Sequence, residues 1–160
     1  MCIRDSQRTE RQFSSEGVKR RETVWLLVER SAVRQREQEF SEKGTLIRDQ
    51  RWNPAGEPIG DDSYHLNGRP RSKSVYRGSG NARTVEITEF YESGQRAAHG
   101  HYLVAGRGHQ VPVGTHRRFS EKGILLAESS FDAKGRVTRE RSWDENGVLE
   151  RDDQVFDEKK

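Results

Sequence analysis

Four histidines, His99, His101, His109 and His116, fall within eighteen residues. Imidazole binds transition metals and moves protons near neutral pH, so such a cluster is the first place to look for chemistry. On an extended strand His99 and His101 point to one face, as two metal ligands would. A set of zinc ligands needs more donors, and no carboxylate or cysteine lies close by in the sequence to complete one. The expectation is a polar strand face that carries histidines, with no metal ligand assigned. Ser120, Asp132 and His116 have the residue types of a hydrolytic triad. Their spacing offers no nucleophile elbow and no oxyanion site, and serine and aspartate are also what tight turns use, so no catalytic residue is assigned.

The stretch GRGHQVPVG (Gly106–Gly114) is glycine-rich. Such a loop cradles phosphate ahead of a helix N-terminus, and no helix is predicted there. It reads as a longer hairpin loop. It is also the best candidate for a contact site, because binding residues favour loops on a rigid scaffold. No cofactor is implied. Basic residues cluster at Lys19–Glu22 (KRRE), at Arg69, Arg71 and Lys73, and at Arg117–Arg118. Against 29 Lys and Arg stand 26 Asp and Glu, and the interleaving describes a solvated mixed-charge face. A net charge of +3 permits weak attraction to nucleic acid or anionic lipid. No aromatic RNA-binding signature accompanies it, so nucleic acid is not the expected partner.

The first six residues, MCIRDS, back-translate to ATG TGT ATA AGA GAC AGN, the end sequence left by transposase-based sequencing libraries. They read as an adapter scar, residues 1–6, ahead of one repeat domain over residues 7–160 whose natural N-terminus is missing. Cys2 is the sole cysteine and belongs to the scar, so residues 7–160 hold no disulfide framework, thiolate metal site or cysteine nucleophile. No apolar run approaches the ~18 residues that span a bilayer.

The elements that must position these residues follow from a period. Hydrophobic residues are 30% and charged residues 34%, a balance that by itself suits disorder, but the aromatics are ordered along the chain. An aromatic, any three residues and a glycine recur as FSSEG (Phe13–Gly17), FSEKG (Phe40–Gly44), WNPAG (Trp52–Gly56), YHLNG (Tyr64–Gly68) and YRGSG (Tyr76–Gly80). The series continues as FYESG (Phe90–Gly94), YLVAG (Tyr102–Gly106), FSEKG (Phe119–Gly123), FDAKG (Phe131–Gly135) and WDENG (Trp143–Gly147). Trp25–Glu29 and Phe156–Lys160 are the same unit without its glycine, and only Tyr91 among the aromatics is off the pattern. Most steps are twelve residues, the length of one strand and one tight turn. SEKG, DAKG and DENG suit a type I turn closed by a left-handed glycine bulge. That geometry sets Phe131 across from Val137, Trp143 from Leu149, Phe119 from Leu125 and Phe40 from Leu46. Val137, Arg139, Arg141 and Trp143 then share a face, with the aromatic positions packed near the turns. The predicted fold is all-β: an antiparallel repeat meander of about eleven strands in a single twisted or curled sheet, each strand touching only its neighbours.

Tandem units such as FSEKGILLAESSFDAKGRVTRERSWDENGVLERD resemble the variant MORN repeats of bacterial YwqK-type antitoxins. GQRAAHGHY (Gly94–Tyr102) has the glycine and aromatic spacing of such repeats, and the resemblance covers Phe13 to Phe156. WLLVERSAVRQREQEF departs from the pattern in lacking the turn glycine. The resemblance implies a toxin-neutralising or protein-binding role and carries no catalytic residues. FDAKGRVTRE is also similar to the YD repeats of large secreted toxin shells, which implies a structural segment instead. MORN-like repeats further imply contact with a membrane surface. The expected function is a non-catalytic scaffold for a protein partner, and exposed edge strands leave room for self-association.

Overall fold

The computed structural model describes residues 6–106 and 109–155. Met1–Asp5 of the expected scar, Arg107 and Gly108 of the glycine-rich stretch, and the Phe156 unit lie outside the described residues. Twelve strands follow one another in chain order in one antiparallel meander that does not close. They are β1 (Ser6–Phe13), β2 (Lys19–Val28), β3 (Ser31–Phe40), β4 (Leu46–Trp52), β5 (Pro58–Tyr64) and β6 (Pro70–Arg77). After them come β7 (Thr84–Phe90), β8 (Arg96–Ala105), β9 (His109–Phe119), β10 (Leu125–Phe131), β11 (Val137–Trp143) and β12 (Leu149–Gln154). A 3₁₀ turn, Gly80–Ala82, stands in place of the turn expected at YRGSG. The chain forms two compact units, Met1–Lys73 and Ser74–Lys160.

The turns are built as the glycine spacing predicts. In DAKG the Gly135 amide donates to the Asp132 carbonyl (3.0 Å) and the Asp132 amide to the Arg136 carbonyl (2.9 Å). Gly135 and Gly147 hold φ of 82° and 81°, where an L side chain is strained. All four predicted cross-strand pairs form: Phe131–Val137, Trp143–Leu149, Phe119–Leu125 and Phe40–Leu46, each beside a register shift. The first turn residue supplies a second tie. Asp132 Oδ1 accepts from the Lys134 and Arg136 amides, and Ser14, Ser41, Asn53, Ser120 and Asp144 do the same in their own turns. Where that position is His65 or Tyr91, the third turn residue provides the acceptor: Asn67 Oδ1 to the Arg69 amide, Ser93 Oγ to the Gln95 amide.

The strands pair in chain order as expected, and one turn reaches further: the Tyr91 hydroxyl, in the turn after β7, donates to the Phe119 carbonyl at the end of β9 at 2.6 Å. The off-pattern aromatic is thus a staple between turns. One expectation is corrected: the aromatics do not form a fully packed face. All those described are half-buried except Phe13, which is exposed, and Val85 is the one fully buried hydrophobic side chain among the described residues. Between the turns, cross-strand ion pairs occupy the space that apolar side chains hold in an ordinary core. In the first unit Arg36 grips Asp49 and Arg48 grips Asp61, each through two hydrogen bonds.

Candidate functional site

The second unit carries the histidines, and its ladder places them. Opposed residues on adjacent strands share a face, so the register can be followed from strand to strand. Glu86 on β7 stands opposite His101 on β8, His99 opposite Arg117 on β9, Arg117 opposite Glu128 on β10, and Glu128 opposite Arg141 on β11. One face is therefore a continuous row of ionisable side chains from Glu86 to Arg141. Glu128 accepts from both Arg117 and Arg141, and the Arg141 guanidinium lies 5.3 Å from the Trp143 ring, on the face predicted for both.

At one end of the row Glu86, His99 and His101 converge. His99 Nε2 donates to Glu86 Oε1 at 3.0 Å, and His101 Nε2 lies 3.7 Å from Glu86 Oε2. The two imidazoles meet edge to face, with centroids 5.0 Å apart. Arg77 Nη1 from β6 reaches Glu86 Oε2 at 3.4 Å. The hydrogen bond from His99 holds the Glu86 carboxyl below its ordinary range, and the nearby His99, His101 and Arg77 act in the same direction. The reading that no carboxylate stands near His99 and His101 is thereby corrected. Glu86 is distant in sequence and opposite in register. Counting back from the YESG turn would have found it.

A bulge supports this arrangement from the other face. Between the pairs His99–Arg117 and His101–Val113, three residues of β9 face the single Gly100 of β8. Gly114 starts the excursion at φ 70°. The His116 ring lies directly over Gly100, where a Cβ would come within 2.4 Å of its Nδ1. His116 Nε2 donates to the His101 carbonyl at 2.8 Å, which fixes the proton on that nitrogen because a carbonyl only accepts. Tyr102 and Phe131 meet the same ring edge to face at 4.8 and 4.9 Å. A shallow hollow of about 260 Å³ opens beside the bulge, bordered by Ile87, Glu89, Tyr102, His116 and Ser129. It is smaller than the ~300–1,000 Å³ of ordinary ligand pockets.

The remaining candidates separate. Ser120 and Asp132 each cap their own turn, while His116 is committed to a backbone carbonyl, so no triad is assembled. The GRGHQVPVG stretch is also corrected. His109 to Gly114 belong to β9, so the extra residues lengthen a hairpin rather than form a long loop. His109 pairs with Ala105 near the hairpin tip, away from the other three histidines. Members of two basic clusters are drawn into pairs: Lys19 on Glu22, Arg21 on Glu39 and Arg117 on Glu128.

No protein-family model and no curated protein matches this chain. Solved structures that match include a protein of unknown function from Bacteroides fragilis, 7% identical, covering 95% of this chain and 94% of that one, with a TM-score of 0.24.

Proposed function

We propose that this chain is a non-catalytic repeat scaffold that binds another protein across its sheet, in the toxin-neutralising role that its resemblance to YwqK-type repeats implies. The observation that supports this reading most is the exposed apolar side chains beside the turns. Phe13 (59%) and Leu66 (78%) stand there in the first unit, and Val148 (59%) and Leu149 (50%) in the second. The turns that carry Leu66 and Val148 are closed by backbone bonds and short polar caps, which do not require those two positions to be apolar. Within each unit, an exposed apolar side chain beside a turn is a position that a protein partner can cover. Repeat proteins build recognition surfaces in this way, with constant residues making the frame and variable ones making the contact.

The test is capture with the purified chain, followed by measurement with the captured partner purified separately. The reading expects one saturable partner whose toxicity to growing cells is relieved by co-expression of this chain. Leu66→Glu and Val148→Glu should weaken that binding while leaving the melting temperature unchanged. The reading fails if no purified partner binds. It fails equally if the chain turns over a substrate and loses that activity on replacing His99, His101, His109 or His116.

A further inference from the structure

We propose that Glu86, His99 and His101 form a binding site for a divalent transition-metal ion of the zinc type, with water completing the coordination. Two imidazoles and one carboxylate are a set that zinc takes with an open fourth position. Donors about 2.0–2.1 Å from a tetrahedral ion stand about 3.3–3.4 Å from one another. His99 Nε2 lies 3.0 Å from Glu86 Oε1 and His101 Nε2 3.7 Å from Glu86 Oε2, so the two imidazoles approach the two oxygens of one carboxylate at separations close to that edge. All three ligand atoms fall within 4.8 Å of each other, and this is the one such group among the described residues.

The frame is rigid where it needs to be. Glu86 and His101 are opposed residues of one ladder, and His99 is two residues from His101 on the same face. The His101 carbonyl is held by the His116 side chain across the bulge, which makes His116 a positioning residue rather than a ligand. Competing cations are weak. The Arg77 side chain is 70% exposed, so its contact with Glu86 is a surface ion pair that a metal can displace. Arg117, opposite His99, has its guanidinium on Glu128 at 2.9 Å. Imidazole donors favour zinc, copper, nickel and cobalt. Magnesium and calcium prefer all-oxygen sites.

The experiment titrates zinc and cobalt into the purified, tag-free chain by calorimetry, with the visible absorption of cobalt reporting ligand geometry. One saturable ion per chain is expected, with no binding of magnesium. His99→Ala, His101→Ala and Glu86→Gln should each weaken binding at least about tenfold. Arg77→Gln should tighten it, because it removes the competing charge. His65→Ala and His109→Ala should leave it unchanged. Circular dichroism of the metal-free variants checks that they fold. If a ligand variant does not fold, the Arg77→Gln affinity and the cobalt spectrum of the parent decide instead. The proposal is overturned if zinc binds the parent without saturation or not at all, if binding survives in the His99→Ala/His101→Ala double variant, or if Arg77→Gln weakens it.

Discussion

Arg36 and Asp49, thirteen residues apart, meet through two parallel hydrogen bonds of 3.0 and 2.7 Å. The separation recurs in Arg48–Asp61, Arg139–Asp152, Glu128–Arg141 and Glu86–His99, one residue longer than the twelve-residue unit. Such pairs brace each strand against the next. The two partners of the first pair are not equivalent. Asp49 is 4% exposed, whereas the Arg36 side chain is 48% exposed and reaches water. Arg36→Ala therefore strands a buried carboxylate and should cost about 3 kcal/mol. Asp49→Ala leaves a guanidinium that water can solvate and should cost roughly 1–2 kcal/mol. Urea unfolding of both variants checks the order, and equal or reversed losses would contradict it.

The turn glycines should differ among themselves in the same kind of measurement. Gly147 has open space around a built Cβ, so Gly147→Ala pays only for positive φ, roughly 1–2 kcal/mol. At Gly135 a Cβ would meet Val111 Cγ1 at 2.4 Å, so Gly135→Ala adds a clash to the same strain. The Gly135 variant should lose about 2–3 kcal/mol. Val111→Ala in the same chain should recover part of that difference, and no recovery would place the loss in the backbone alone.

Turns and registers were legible because each is fixed locally. A glycine that needs positive φ and a short acceptor three residues before it specify the hairpin, and the hairpin specifies pairs such as Phe131–Val137. The candidate site was half legible. His99 and His101 share a strand and are seen together, but Glu86 arrives from the preceding strand and is visible only once register is counted through the turn. Two features had no local signal. The bulge that seats His116 over Gly100 is a mismatch between two strands, and the Tyr91–Phe119 staple spans 28 residues. The absence of a fully packed aromatic face follows from the thin apolar content together with the ion pairs, whose side chains stand between the aromatic positions.

The hairpin between β2 and β3 is closed by two residues, Glu29 and Arg30, with Val28 paired to Ser31. Glu29 is the one non-glycine residue at positive φ, 52°, among the described residues. Two-residue hairpin loops favour glycine or asparagine there, and an L side chain costs roughly 1–2 kcal/mol. Part of that is returned to the unfolded chain when glycine is introduced. Glu29→Gly should therefore raise stability by about 1 kcal/mol or slightly less. A thermal melt that moves downward would show that the Glu29 side chain contributes more than its backbone costs.

Acid should unfold this protein through its paired carboxylates. The Glu128 carboxyl lies below its ordinary range chiefly because it accepts from Arg141, and also from Arg117. Glu22 is lowered by hydrogen bonds from Arg11 and Lys19, and Glu86 by the one from His99. A carboxyl with a depressed folded pKa adds stability that is fully present above the unfolded value, about 4.3 for glutamate. The contribution is lost as pH falls through the folded value, when both states carry the proton. Melting temperature should accordingly hold between pH 7 and about 5 and fall with increasing slope below about 4.3. Glu128→Gln sharpens the test. It deletes one charge that Arg117 and Arg141 share, so the variant should melt a few degrees lower at pH 7. Once Glu128 is protonated in the parent the two chains are nearly alike in charge, so their melting curves should draw together as pH falls below the folded value of Glu128. Curves that stay parallel across that range would mean that Glu128 contributes through packing and not through its ion pairs.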